Sequence, residues 1–139
     1  MKETCVLIGY GNWGKRIYPS LKKNFKVVKI IKSKDNYKTI DYNDINWAFV
    51  ITPERTHYKF VNFFLKKKIN VFCEKPISLS LNNAKKLINL SIKNNVKLYI
   101  SDIEIFKKKK IKVLNKNIII RKKKSNIPLK LIPEKLVYH

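Results

Sequence analysis

Cys5-Val6-Leu7-Ile8-Gly9-Tyr10-Gly11-Asn12-Trp13-Gly14 decides the fold: an apolar run passes directly into a G-x-G-x-x-G element. The three glycines of that element are the only three in the 139-residue chain. The run ahead of it reads as a buried strand, and the stretch behind it, with Ile17 and Leu21 four apart, as a helix. A tight strand-to-helix turn of this kind brings bare backbone and the positive end of a helix to one point, which suits a pyrophosphate. The first glycine would permit the turn, the second leave room for phosphates, and the third let helix pack on strand. A mononucleotide site, or a tight turn with no ligand, remains the alternative to a dinucleotide site on these residues alone.

Downstream, strand and helix patterns alternate. Residues 26–32 read as a second strand and 47–52 as a third, continuously apolar and so buried on both faces. Tyr58, Val61, Phe64 and Leu65 mark a helix, 70–73 a fourth strand, and Ala84, Leu87, Ile88 and Ser91 a helix capped by Ser80. Residues 96–103 read as a fifth strand, and a short element is expected around 37–42. Pro19 should kink or shorten the first helix. The order predicts an α/β fold with a doubly wound parallel sheet over residues 1–106. Ligands of such sheets lie beyond the carboxyl ends of the strands, where residues 9–14, Ser33 and Lys34, 52–57 and 74–76 all fall.

The net charge of +23 has two readings. Clustered lysine binds nucleic acid, but 29 of the 32 basic residues are Lys and three are Arg, against the arginine preference of base and phosphate readers. Lys, Asn and Ile together make up 64 residues and Ala two, the mark of an AT-biased genome, which we favour over a basic nucleic-acid-binding module. Residues 107–139 carry 12 basic residues and one acid in short apolar and lysine runs, and read as a basic linker leading to a strand near 118–124. Cys5 and Cys73 sit in apolar runs with no second ligand at metal spacing, as two buried thiols in a reducing cytoplasm would. No apolar run approaches a membrane span and no signal peptide is evident, so no membrane partner is expected.

At the end of the second strand an NAD site usually carries an acid for the ribose hydroxyls. Here Lys32-Ser33-Lys34 stands there and Asp35 follows late. A hydroxyl beside a cation suits a 2′-phosphate, which favours NADP over NAD; the alternative is one more lysine in a lysine-rich chain.

Thr52-Pro53-Glu54-Arg55-Thr56-His57 and Val71-Phe72-Cys73-Glu74-Lys75-Pro76, taken with residues 9–14, resemble the N-terminal NAD(P)-binding Rossmann domain of the glucose–fructose oxidoreductase/inositol dehydrogenase (Gfo/Idh/MocA) family. The resemblance runs from residue 4 to about 105, and Glu-Lys-Pro is its most specific part. It implies an NAD(P)-dependent oxidoreductase acting on a sugar, nucleotide-sugar or cyclitol hydroxyl; the Asn12-Trp13-Gly14-Lys15 variant looks like members acting on nucleotide-linked sugars. Lys75 matches the lysine beside the nicotinamide and the substrate hydroxyl, and Glu74 a residue near the nicotinamide ribose. Thr52 and Pro53 match the stretch lining the nicotinamide half, and His57 the histidine opening the next helix, for which a plain helix-cap role is the alternative. Gly9, Tyr10, Gly11, Asn12, Trp13, Gly14, Ser33 and Lys34 complete the expected cofactor site. Family members continue into a second α/β domain that supplies most of the substrate pocket and through which a homo-oligomer would form. Residues 107–139 are accordingly expected to be the incomplete start of that domain, and the chain alone to be inactive.

Overall fold

Short runs of Val, Ile and aromatic residues make strands that sit comfortably when covered on both faces. A computed structural model of the chain, which describes residues 1–101, assembles five of them into one parallel sheet. The elements are β1 (Thr4–Ile8), α1 (Asn12–Asn24), β2 (Lys26–Ile31), β3 (Trp47–Val50), α2 (His57–Lys66), β4 (Asn70–Cys73), α3 (Leu81–Lys93) and β5 (Leu98–Ile100), with single 3-10 turns at Tyr37–Thr39 and Glu54–Thr56. Strand order is β2-β1-β3-β4-β5. Leu7 of β1 stands between Ile30 of β2 and Phe49 of β3, and Val50 stands opposite Cys73 of β4.

The period-2 alternation of the central strands sorts their side chains into two cores. Val6, Ile8, Ala48, Val50, Val71 and Cys73 pack with Val61, Phe64 and Leu65 of α2 and Leu87 of α3. Cys5, Leu7, Trp47, Phe49 and Ile51 pack with Leu21 of α1 on the other face. Helices therefore cover both faces, and the sheet is doubly wound as expected. Val61, Phe64 and Leu65 are wholly buried, and each contributes about 1.5–3 kcal/mol of apolar transfer on folding. The chain leaves β1 toward β2 on one side and returns to β3 on the other. A crevice thus opens at the carboxyl ends of β1 and β3.

Several boundaries differ from expectation, each for a local reason. β2 stops at Ile31 because the Lys32 N–H turns to the Asp35 carboxylate, Oδ2 at 2.7 Å. β1 ends at Ile8 where Gly9 takes φ +95°, although the Gly9 N–H still reaches the Ile31 carbonyl at 2.9 Å. β3 closes at Val50, short of Thr52. β5 begins only at Leu98, since Asn95 at φ 53° turns the chain out of α3 and the Val96 N–H bonds back to Ser91. Pro19 does not shorten α1, which runs on to Asn24. Lys15 and Pro19 both lie on the exposed face, so the carbonyl that loses its donor turns toward water.

The three helices differ at their starts and agree at their ends. The Ser80 hydroxyl caps α3 by accepting from the Asn83 N–H, while α1 begins at Gly11 with no side-chain cap and no acid in its first turn. Lysines stand in the last turn of each: Lys22 and Lys23, Lys66, and Lys93. They complement the negative helix ends, away from the crevice. No helix among the described residues is long and apolar enough to cross a membrane. The boundary expected at 106, the basic linker 107–139 with its strand near 118–124, and the rest of the fifth strand to 103 lie outside the described residues.

Candidate functional site

The β1–α1 turn puts the glycines to different uses. At Gly9 the backbone takes φ +95°, and an added Cβ would overlap the Ile51 carbonyl, so only glycine fits between β1 and β3. Gly14 likewise lies against the Gly9 carbonyl. Gly11 is the opposite case. Its φ is −76°, open to any residue, and a Cβ there would meet nothing within 4 Å. Among the described residues nothing demands glycine at 11, and the space a side chain would take there is open. The uncapped N–H groups of the first turn of α1 open on the same place, a ready site for phosphate oxygens.

Around this turn lies a cleft of about 760 Å³. Residues 9–14 form its floor, Lys32 and Ser33 the rim beyond β2, and Thr52 and Pro53 the wall beyond β3. Arg55 of the 3-10 turn and Lys59 and Phe60 of α2 close it on the far side. Among the described residues, three cations and no carboxylate line the cleft. The one acid near the end of β2, Asp35, is engaged in its own turn, accepting from the Lys32 N–H while its own N–H reaches the Lys32 carbonyl at 3.1 Å. Rings border the cations: the Lys32 ammonium lies 6.0 Å from the Tyr10 ring centre, and that of Lys59 lies 5.0 Å from Tyr37.

Past β4, Glu74-Lys75-Pro76 is held from several directions. The Glu74 N–H donates to the Val50 carbonyl at 3.0 Å, and the Trp13 indole N–H donates to Glu74 Oε1 at 2.9 Å. The Lys75-Pro76 peptide bond is cis. Cys73 Sγ, 3.2 Å from the Glu74 carbonyl, is the donor there. Burial, reinforced by the Glu74 carboxylate, pushes the Cys73 thiol far up, so it stays protonated and serves as a donor and not as a nucleophile. His57, 1 % exposed, sits between two carbonyls, Nδ1 2.6 Å from Pro76 O and Nε2 2.7 Å from Thr52 O. The Thr56 hydroxyl donates to the Pro53 carbonyl at 2.7 Å and accepts from the Thr52 hydroxyl at 2.8 Å, tying the loop to itself.

Of the expected site residues, Gly9, Tyr10, Gly11, Asn12, Trp13, Gly14, Ser33, Thr52 and Pro53 meet around one cleft. Lys34 is exposed outside its lining, and Lys32 stands there instead. Glu74 and Lys75 also lie outside the lining, joined to it through Trp13. His57 lies behind the cleft with both ring nitrogens engaged. Lys59 and Phe60 went unnoticed in the sequence, and Arg55 was given no role beyond its place in the stretch 52–57. The four-residue spacing of Arg55 and Lys59, one helical turn directly after a strand end, was the available signal. Among the described residues no three His, Cys, Asp or Glu side chains gather to hold a metal ion.

With this geometry in hand, comparison with known proteins is informative. Residues 33–101 match the Gfo/Idh/MocA family, described as an oxidoreductase family with an NAD-binding Rossmann fold. Similar solved structures include one from Bacteroides fragilis, 22 % identical with TM-score 0.66, covering 73 % of this chain and 37 % of that one. A probable dehydrogenase from Thermotoga maritima is 25 % identical with TM-score 0.64, covering 70 % and 35 %. UDP-N-acetylglucosamine 3-dehydrogenase GnnA from Acidithiobacillus ferrooxidans is 15 % identical with TM-score 0.65, covering 75 % and 40 %. The chain thus spans two fifths or less of the length of each of these structures. A search of curated proteins found no match. Strand order, crevice and family match agree, and through its NAD-binding Rossmann domain the chain belongs to the Gfo/Idh/MocA family of oxidoreductases.

Proposed function

We propose that this chain carries the cofactor half of an oxidoreductase that prefers NADP and acts on a hydroxyl of a sugar, nucleotide sugar or cyclitol. The observation that carries the cofactor assignment is Gly11, bare where the fold does not require it and set at the uncapped start of α1. The pyrophosphate lies against the first-turn N–H groups of Asn12, Trp13 and Gly14. Ser33 and Lys32 receive the 2′-phosphate, with Arg55 and Lys59 facing them across a cleft that no carboxylate among the described residues lines. Thr52 and Pro53 border the nicotinamide half. When bound, the nicotinamide ring supplies the hydride chemistry. Lys75, the exposed cation beyond β4, holds the substrate hydroxyl and steers its proton; Glu74, joined to Trp13, borders the nicotinamide ribose. The likeness to a nucleotide-sugar dehydrogenase supports a sugar-type substrate.

Residues 1–106 form the cofactor domain in this assignment, and residues 107–139 lead into a substrate domain through which a homo-oligomer forms. The two free buried thiols, Cys5 and Cys73, support a place in the reducing cytoplasm.

Gly11→Ala is the direct test. The folded chain has room for the methyl group, so stability should change by less than about 1 kcal/mol. Affinity for NADPH, read by calorimetric titration, should fall by about tenfold or more as the methyl meets the phosphates. A Gly11→Ala protein that binds NADPH as tightly as the native chain would overturn the assignment.

A further inference from the structure

We propose that His57 is a positioning residue that fixes the backbone presenting Lys75 by tethering the Pro76 carbonyl to the Thr52 loop. The proposal rests on the cofactor assignment above and deepens it.

His57 opens α2 and is 1 % exposed, so it cannot reach a ligand itself. Its two ring nitrogens span two different loops. Nε2 meets Thr52 O at the end of β3, and Nδ1 meets Pro76 O at the end of β4. These strands are neighbours, with Val50 opposite Cys73, so a single imidazole bridges the gap between the chains that leave them. Both partners are carbonyl oxygens, which accept. A phenylalanine would fill the same volume while taking the ring nitrogens away from both carbonyls.

The tether matters because of what lies between its anchor points. Glu74 is pinned ahead of Lys75 by the Val50 carbonyl and by Trp13. Pro76, just after Lys75, has no N–H, so its carbonyl is its one backbone hydrogen-bonding group, and His57 holds it. Among the described residues nothing holds the Lys75 side chain. Its place is set by the backbone on either side, and His57 provides the fixed point on the far side.

The test separates the two tethers. An asparagine amide falls near the position of Nδ1 and a glutamine amide near that of Nε2. His57→Asn thus keeps the Pro76 bond, and His57→Gln keeps only the Thr52 bond. The 139-residue chain is titrated with NADPH and with 2′,5′-ADP, which lacks the nicotinamide half. His57→Gln should weaken NADPH by about tenfold and leave 2′,5′-ADP within about twofold, while His57→Asn stays within about threefold of the native chain for both. Amide hydrogen exchange, read without ligand, should accelerate at Glu74, whose N–H is held by the Val50 carbonyl, in His57→Gln and not in His57→Asn. Equal behaviour of the two variants, a parallel loss of both ligands, or unfolding of both variants would reduce His57 to a packing role and overturn the proposal. So would a native chain that gains nothing from the nicotinamide half. A native chain that binds neither probe would sink the cofactor assignment instead, and the exchange measurement would still decide the tether.

Discussion

The Trp13 indole donates to the Glu74 carboxylate at 2.9 Å, joining the first turn of α1 to the end of β4 across 61 residues of sequence. Two motifs that read as separate signatures are therefore linked by a side-chain bond, from the turn that carries the glycines to the strand end that carries Lys75.

That bond also makes Trp13 a reporter. Trp13 is 41 % exposed and lines the cleft, while Trp47 is 8 % exposed with its indole N–H on Glu3 Oε2. NADPH should quench the fluorescence of the native chain, and Trp13→Phe should abolish the quench. The variant should also bind NADPH roughly 3- to 10-fold more weakly, from loss of one hydrogen bond to a charged group. A quench that survives in Trp13→Phe would place the ligand elsewhere.

Ser33 lines the cleft where an acid would repel a 2′-phosphate. Ser33→Asp should weaken NADPH binding by ~1–3 kcal/mol while leaving NADH unchanged or improved. Calorimetric titration of both cofactors checks this. Native affinities that are equal for the two, and unmoved by the substitution, would remove the preference for NADP.

Gly9→Ala should behave unlike Gly11→Ala. A methyl at Gly9 meets the Ile51 carbonyl, and φ +95° is strained for any L side chain. The expected cost is about 3 kcal/mol or more, seen as a lower urea midpoint. A Gly9→Ala chain as stable as the native one would show that β1 and β3 are not closed on each other at this point.

The buried acids set the alkaline limit of stability. Burial raises Cys5 from 9.0 to about 11, and burial with Tyr37 nearby raises Tyr42 from 10.0 to about 12. Their folded-state values exceed the unfolded ones, so their contribution is complete below pH 9 and is lost as pH climbs toward 11 and 12. Stability should decline above pH 9, with Cys5 accounting for on the order of 2 kcal/mol by pH 11. At pH 8 neither Cys5 nor Cys73 should react with iodoacetamide until the chain is unfolded; fast labelling of the native protein would contradict their burial.

Much of this architecture could be read from residue order. Apolar runs long enough to be buried twice gave β1 and β3 their central places, and Ser80 marked the start of α3 because its hydroxyl has a definite N–H to satisfy. What escaped were relations across the sheet. The seating of Arg55 and Lys59 opposite Ser33 depends on how β2 and β3 flank β1. The Asp35 turn that stops β2, and the two carbonyls that hold His57, are contacts that no periodicity encodes. Pro19 misled because exposure of the freed carbonyl, invisible in sequence, decides whether a helix tolerates proline.

A cleft lined by Lys32, Arg55 and Lys59, and by no carboxylate among the described residues, also governs how a ligand arrives. A polyanion drifting near this mouth is drawn inward before any hydrogen bond forms, so encounter is faster than unaided diffusion and slows as counter-ions accumulate. The lysine enrichment of the whole sequence thereby gains, at this one mouth, a bearing on how fast a polyanion arrives.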